Sequence, residues 1–128
     1  VVVPRTASDS AAGFVVGTGW TTILTTSISR PSGYDNVSVS VSGTCSTLFT
    51  GGGANTSDYF YVRVGIDGVY GPTTTILAAT SMALSAFHTR TLSKTSAVTI
   101  TLQAHTDNAP GSNLFSSANM IGTGLWTR

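Results

Sequence analysis

The sequence has very few charged residues. They make up 9% of its 128 positions, against about a quarter in an average soluble domain. All five acidic residues are aspartates, glutamate does not occur, and lysine and glutamine occur once each, as Lys94 and Gln103. Because Glu, Lys and Gln fill most exposed helix positions, this composition argues against a helical protein. The six basic residues are dispersed and the net charge is +1, so we expect no nucleic-acid partner.

Membrane segments, disulfides and clustered metal ligands are also missing from the sequence. No apolar run approaches the roughly 20 residues of a membrane-spanning helix, so we expect no membrane partner. Cys45 is the only cysteine, which excludes a disulfide within the chain. A zinc site needs Cys and His side chains that converge, whereas the strand pattern predicts opposite faces for Cys45 and His105. We therefore predict no metal site and no cofactor.

Hydroxyl side chains take the place of the missing charges. The chain has 17 Ser and 22 Thr, with 41% hydrophobic residues and a mean hydropathy of +0.24. This is enough apolar material for a core and excludes a disordered chain. The length predicts a single domain over residues 1–128. Residues 1–13 precede the first clear strand pattern, so we expect them to be an N-terminal arm or linker.

Apolar and polar residues alternate through most of the chain from about residue 20. The alternation is clearest over residues 36–50 and recurs at 59–66 and 97–105. Because a strand sends successive side chains to opposite faces, each segment is predicted to be a strand with one buried face. Cys45 shares the apolar register and is predicted to be a core residue. Gly43 also falls in this register, where we expect a bulge or bend. The predicted core residues are Val39, Val41, Val62, Val64, Val98, Ile100 and Leu102.

Turn signals separate the predicted strands. Asp67-Gly68 suits the positive φ angles of a two-residue hairpin turn. Residues 20–29 read as a strand with Trp20 on the same face as Leu24 and Ile28, and residues 76–92 as two short strands or one bent strand. A closing strand is expected over 118–127. Seven to nine short strands at this spacing predict an all-β fold, an antiparallel β-sandwich.

The aspartates give little support for catalysis. Most lie beside turn residues, where an Asp side chain bonds to its own backbone. No pair stands out as the two carboxylates of a glycosidase, and no G-x-S-x-G nucleophile motif occurs. Side-chain oxygen ligands of the kind that calcium binds occur in one loop, at Asp107, Asn108 and Asn113. Their spacing fits no calcium-binding loop, so we interpret them as a polar turn. We predict that the chain is not an enzyme and has no catalytic residues.

A row of tyrosines is the best candidate for a binding surface. Tyr59 and Tyr61 alternate with the core residues of their strand, and Tyr70 lies across the hairpin. Such a row is common at sugar- or protein-contact surfaces. Alternatively, another subunit covers this row of tyrosines. The composition favours this second interpretation, because the surface of a chain with few charges is suited to burial in an interface. The candidate binding residues, including polar residues of the neighbouring loops, are Asp58, Tyr59, Tyr61, Tyr70, Asp107, Asn108 and Asn113.

Four segments resemble jelly-roll domains of tailed-bacteriophage appendages. They are residues 19–24 (GWTTIL), 37–42 (VSVSVS), 59–68 (YFYVRVGIDG) and 96–104 (SAVTITLQA). In those domains a tryptophan-containing strand comes first and a hairpin ending in Asp-Gly lies mid-chain. The likeness covers roughly residues 14 to 127. It implies a jelly roll of the tumour-necrosis-factor-like type, found in tail fibres, minor tail proteins and capsid decorations, and it carries no shared active site.

The resemblance also implies a function. It suggests a non-enzymatic virion component that attaches to the host surface as a homotrimer, with other virion proteins and a host-surface glycan as partners. The composition on its own predicts only that the chain is not a monomer, because few charges keep its copies apart. The alternative function is that of a binding module: a carbohydrate-binding module of a secreted bacterial enzyme. Such a module is normally a monomer.

Overall fold

The computed structural model of the chain describes residues 1–48, 59–77, 83–107 and 114–128. Within these ranges all regular secondary structure is β-strand, which confirms the predicted all-β class. The strands are β1 (Val3–Val15), β2 (Thr21–Ile28), β3 (Asn36–Leu48), β4 (Tyr59–Ile66), β5 (Val69–Tyr70), β6 (Thr74–Leu77), β7 (Ala83–Ser93), β8 (Val98–Thr106) and β9 (Leu114–Thr127). Residues 76–92 thus contribute to two strands, one of the two arrangements expected.

The strands form two antiparallel sheets packed face to face. A four-stranded sheet has the order β1-β9-β3-β7, and a five-stranded sheet has the order β2-β8-β4-β5, with β6 also paired to β4. Because β5 and β6 pair with successive parts of β4, they act as one interrupted strand. The chain then passes between the sheets at nearly every connection. This alternation is the jelly-roll arrangement of antiparallel strands, and it confirms the predicted sandwich.

The core lies between the two sheets, where the alternating residues predict it. All predicted core side chains are at most 1% exposed. Cys45 is also fully buried, as predicted, and burial raises the pKa of its thiol to about 12. Trp126 closes one end of the core and is 0% exposed. The alternation of valine and serine in β3 therefore has its expected physical cause, since one face meets the other sheet and one meets solvent.

Gly43 marks a close approach of the two sheets, and the predicted bulge or bend there is wrong. The pairing of β3 with β7 and β9 runs through Gly43 without a register shift. A Cβ atom at Gly43 would lie 2.7 Å from Leu102 Cδ1 and 2.9 Å from Val64 Cγ1. Two large side chains of the facing sheet thus occupy the space that any other residue would need.

The hairpin predicted at Asp67-Gly68 is confirmed. Both residues have positive φ, 49° and 80°, as a two-residue turn of this kind requires. The Asp67 carboxylate accepts a hydrogen bond of 2.9 Å from the Thr99 backbone N–H and lies 2.6 Å from Lys94 Nζ. Burial opposes ionisation of Asp67, but these bonds and the charges of Lys94 and Arg90 outweigh it and hold its pKa below the ordinary value.

The N-terminal residues are part of the sandwich, in contrast to the arm or linker expected at 1–13. Strand β1 pairs with β9 along nearly its whole length. Val3, Ala7 and Ala11 pack against the core. The sequence shows only a weak apolar–polar alternation here, because alanine contributes little hydrophobicity and because the charged Arg5 and Asp9 occupy the same register as the buried residues.

Candidate functional site

The structure places the described candidate residues on or beside the outer face of the five-stranded sheet. Tyr59 and Tyr61 of β4 point away from the core, and Tyr70 of β5 pairs with Gly65 of β4. Tyr59 is 42% exposed, whereas Tyr61 and Tyr70 are half-buried. Asp107 is exposed and directly follows β8. The remaining candidates, Asp58, Asn108 and Asn113, lie outside the described residues.

An aromatic stack crosses the sheet beside Tyr61. The strand register places Tyr61 directly opposite His105 of β8, and the two rings are stacked with centroids 4.2 Å apart and planes 9° apart. Trp20 meets the His105 ring edge-on, with centroids 4.3 Å apart at 81°. Both arrangements are favourable ring geometries. Neither Trp20 nor His105 is among the candidate residues predicted from the sequence, because their proximity depends on which strands pair.

The Arg63 guanidinium extends this stack toward the hairpin. Its Cζ atom lies 4.0 Å from the Trp20 ring centroid and 3.9 Å from the Tyr70 ring centroid, so two aromatic faces hold the cation. Nε and Nη2 of Arg63 donate hydrogen bonds of 3.0 and 2.7 Å to Gln103 Oε1. Gln103 Nε2 in turn donates to Thr22 Oγ1 at 3.2 Å. We call Trp20, Tyr61, Arg63, Tyr70 and His105 the aromatic row.

Trp20 joins the aromatic row because of an irregularity in β2. The register of β2 against β8 shifts between Thr22 and Leu24, and such a shift of one residue exchanges the two faces of a strand. The prediction that Trp20 shares a face with the buried Leu24 and Ile28 is therefore wrong. The backbone before Trp20 is fixed to the same sheet, since the Thr106 N–H donates to the Gly17 carbonyl at 2.9 Å.

Gly65 makes room for the Tyr70 ring at the other end of the aromatic row. A Cβ atom at Gly65 would lie 2.7 Å from Tyr70 Cε1 and 2.8 Å from Thr101 Oγ1. The tyrosine ring thus covers a glycine within the sheet, an arrangement that also shields the exposed backbone. Any side chain at Gly65 would push Tyr70 away from the guanidinium of Arg63.

Among the described residues, the Asp107 carboxylate borders the aromatic row. Tyr61 makes a side-chain hydrogen bond with Asp107, in which the hydroxyl donates to the carboxylate. That bond raises the pKa of Tyr61 above its ordinary value, and loss of hydration and the nearby charges of Asp107 and Tyr59 add to the effect. The Tyr61 side chain thus has a partner at each part: its ring stacks on His105, and its hydroxyl faces Asp107.

The arrangement suits contact with a ligand. It offers the exposed Tyr59 side chain, a guanidinium held in place and a carboxylate–hydroxyl pair. Among the described residues, no group of three or more His, Cys, Asp or Glu side chains is placed to hold a metal ion. The described part of the chain also contains no helix long and apolar enough to cross a membrane.

The outer face of the four-stranded sheet has a different chemistry. It consists of every second residue from Pro4 to Ala12 on β1, from Ser38 to Ser46 on β3, from Ala83 to Thr91 on β7 and from Ser117 to Leu125 on β9. None of these residues is charged, and most are Ser or Thr. We call this surface the neutral face. It carries three large exposed apolar side chains, Phe87, Ile121 and Leu125, which are 58%, 53% and 46% exposed.

Comparisons with known proteins relate the chain to others by fold alone. No protein-family model and no curated protein sequence matches it. Among solved structures, that of the Gx strain of infectious bursal disease virus matches with a TM-score of 0.53 and 13% identity, covering 95% of this chain and 33% of that one. The T=1 particles derived from infectious bursal virus match with a TM-score of 0.53 and 14% identity, covering 94% of this chain and 31% of that one. The chain therefore spans about a third of these viral chains and shares their fold over nearly its whole length.

Proposed function

We propose that the chain is a non-enzymatic structural domain of a virion. The observation that carries this proposal is the jelly-roll topology, which aligns over 95% of the chain with a protein of a virus structure. The sequence resemblance narrows the proposal to a tail appendage of a bacteriophage, where the domain forms a homotrimer with other virion proteins around it. In this proposal the domain faces the host surface and contacts a glycan there.

The aromatic row supports the glycan contact. The C–H faces of sugar rings pack on aromatic side chains, and sugar hydroxyls bond to carboxylates and guanidinium groups. Tyr59, Tyr61 and Asp107 present these groups side by side at one end of the sheet, and Arg63 adds a fixed cation. Their mutual contacts reduce the ordering that a ligand would have to impose, which favours binding.

Electron microscopy tests the virion assignment. Antibodies raised against the purified domain are expected to label intact phage particles from a lysate of the host that produces this chain. Label found only on a secreted polysaccharide-degrading enzyme, with particles unlabelled, would contradict the proposal. That result would favour the carbohydrate-binding module, which the same aromatic row also suits.

A glycan array tests the binding role of the aromatic row. The wild-type domain is expected to bind a subset of bacterial surface glycans, and Tyr59→Ala and Tyr61→Ala are each expected to weaken that binding at least tenfold. Val69→Ala is the matched control, because Val69 is 44% exposed on the same sheet but lies outside the row. Unchanged binding by both tyrosine variants would show that the row is not the contact surface.

A further inference from the structure

The charged side chains of the described residues are distributed very unevenly over the surface. Arg63 belongs to the aromatic row, and two ion pairs, Arg30–Asp35 and Lys94–Asp67, lie at the turns. The neutral face carries none. A monomeric protein normally keeps its copies apart with charge on every large surface. One face of this sandwich lacks that protection entirely.

The exposed apolar residues of the neutral face stand singly, with small hydroxyl side chains between them. Ser42 pairs with Ile121 on one side and with Phe87 on the other, so Ile121 and Phe87 lie in the same row across the sheet. Leu125 lies on the same strand and face as Ile121, four residues further and therefore about 13 Å away. Ser42 lies between Ile121 and Phe87, and Thr123 lies between Ile121 and Leu125, so the whole face is uncharged. An interface core is likewise depleted of charge.

We propose that the neutral face is the surface through which copies of this chain associate. The inference rests on the homotrimer of the proposed function and names its interface. The occupant is a second and third copy of this chain: in a trimer each neutral face turns toward the three-fold axis and meets the uncharged faces of both neighbours. Copies that meet through it bring no like charges together and desolvate no ions.

The size of the neutral face is consistent with a stable interface. Four strands about 4.8 Å apart and nine residues long at about 3.3 Å each cover on the order of 600 Å² in plan. The relief of the side chains increases the accessible area further. A standard interface buries about 800 Å² on each partner, so association requires most of this face. The aromatic row, on the opposite side of the sandwich, then remains open to solvent.

A pair of lysine substitutions tests the interface. Ile121→Lys places a charge at the centre of the neutral face, and Val69→Lys places one at a similarly exposed apolar position on the other sheet. Light scattering at matched micromolar concentration is expected to give about 39 kDa, three chains of 13.1 kDa, for the wild type and Val69→Lys. Ile121→Lys is expected to elute as a monomer with an unchanged circular dichroism spectrum.

The rate of thiol labelling provides a second test of the interface, with cysteine substitutions that add no charge to the surface. Ser42→Cys on the neutral face and Thr25→Cys on the five-stranded sheet are both exposed in the single chain, while the native Cys45 is buried. Maleimide is expected to react at least tenfold more slowly with Ser42→Cys than with Thr25→Cys in the oligomer, and equally fast after dilution to monomer. If Ile121→Lys stays trimeric and Ser42→Cys reacts freely, the interface lies elsewhere and the trimer stands. A monomeric wild type would overturn the trimer together with its interface.

Discussion

A methyl group added at Gly43 is expected to destabilise the fold. The new Cβ atom would lie 2.7 Å from Leu102 Cδ1 and 2.9 Å from Val64 Cγ1, well inside normal contact distance. Both neighbours are fully buried and cannot move into solvent. Overpacking of this kind costs about 1–3 kcal/mol. Replacing glycine also restricts the unfolded chain, but this gain of about 0.4–1 kcal/mol offsets only part of the cost.

A double-mutant cycle with Leu102→Ala isolates this contact. Leu102→Ala alone is expected to lower the free energy of unfolding by about 2.7–5 kcal/mol, because it removes a buried side chain and leaves a cavity. In the double variant, the methyl group added by Gly43→Ala fills part of that cavity, and its close contact with the leucine no longer exists. Filling a methyl-sized void contributes about 1 kcal/mol. The double variant should therefore be more stable than the sum of the single effects by about 1 kcal/mol or more.

Urea denaturation of the four proteins at one fixed chain concentration measures these free energies, since association adds to the apparent stability. Gly19→Ala is the matched control, because nothing lies within 4 Å of a Cβ atom there. It removes the same backbone freedom without a clash and should raise stability by up to about 1 kcal/mol. Equal stability of Gly43→Ala and Gly19→Ala would contradict the predicted clash, and so would additive effects of Gly43→Ala and Leu102→Ala.

Three further predictions concern single features of the fold. Folding lowers the pKa of Asp67. The ionised carboxylate therefore stabilises the fold above the unfolded pKa near 4, and this stabilisation is lost as the pH falls through the folded pKa. In thermal melts from pH 6 to 2, the melting temperature of Asp67→Asn should fall less than that of the wild type. Cys45, with a pKa of about 12, should react with a thiol reagent only after unfolding in urea, and labelling of the native protein would contradict its burial. Deleting residues 1–13 should abolish cooperative thermal unfolding, because β9 would lose one of its two partner strands and the apolar residues of β1 would leave the core. An intact melt would restore the interpretation of this segment as an arm.

The core and the hairpin could be predicted from the sequence because their signals are local. A valine at every second position from Val37 to Val41 fixes which face of β3 is buried, whatever the strand pairs with. Asp67-Gly68 likewise carries its own turn preference in two adjacent residues. Gly43 lies in the same alternation, but the reason for a glycine there is the facing Leu102, and no local pattern contains that information.

The candidate site is only partly predictable, because it depends on register and on long-range pairing. Alternation alone places Tyr59 and Tyr61 on the outer face. Trp20 reaches that face only through the register shift in β2, and the segment Thr21–Ile28 is too uniformly β-branched to reveal where a shift falls. Alternation also assigns His105 to the polar face of its strand, but its stacking with Tyr61 follows from the pairing of β4 with β8.

The placement of the remaining charges explains why association would use a face and not an edge. On the four-stranded sheet, Arg5, Asp9 and Arg90 all lie on the edge strands β1 and β7, opposite residues of the inward register. Inward-pointing charges at a sheet edge oppose the addition of another strand, since pairing would bury them. Arg90 is additionally tied to the Ile66 carbonyl by a 3.0 Å hydrogen bond. These three charges thus oppose strand addition at both edges of the four-stranded sheet, and none lies on the neutral face. The distribution therefore favours association through the face, with the neutral faces of three copies turned toward a shared axis.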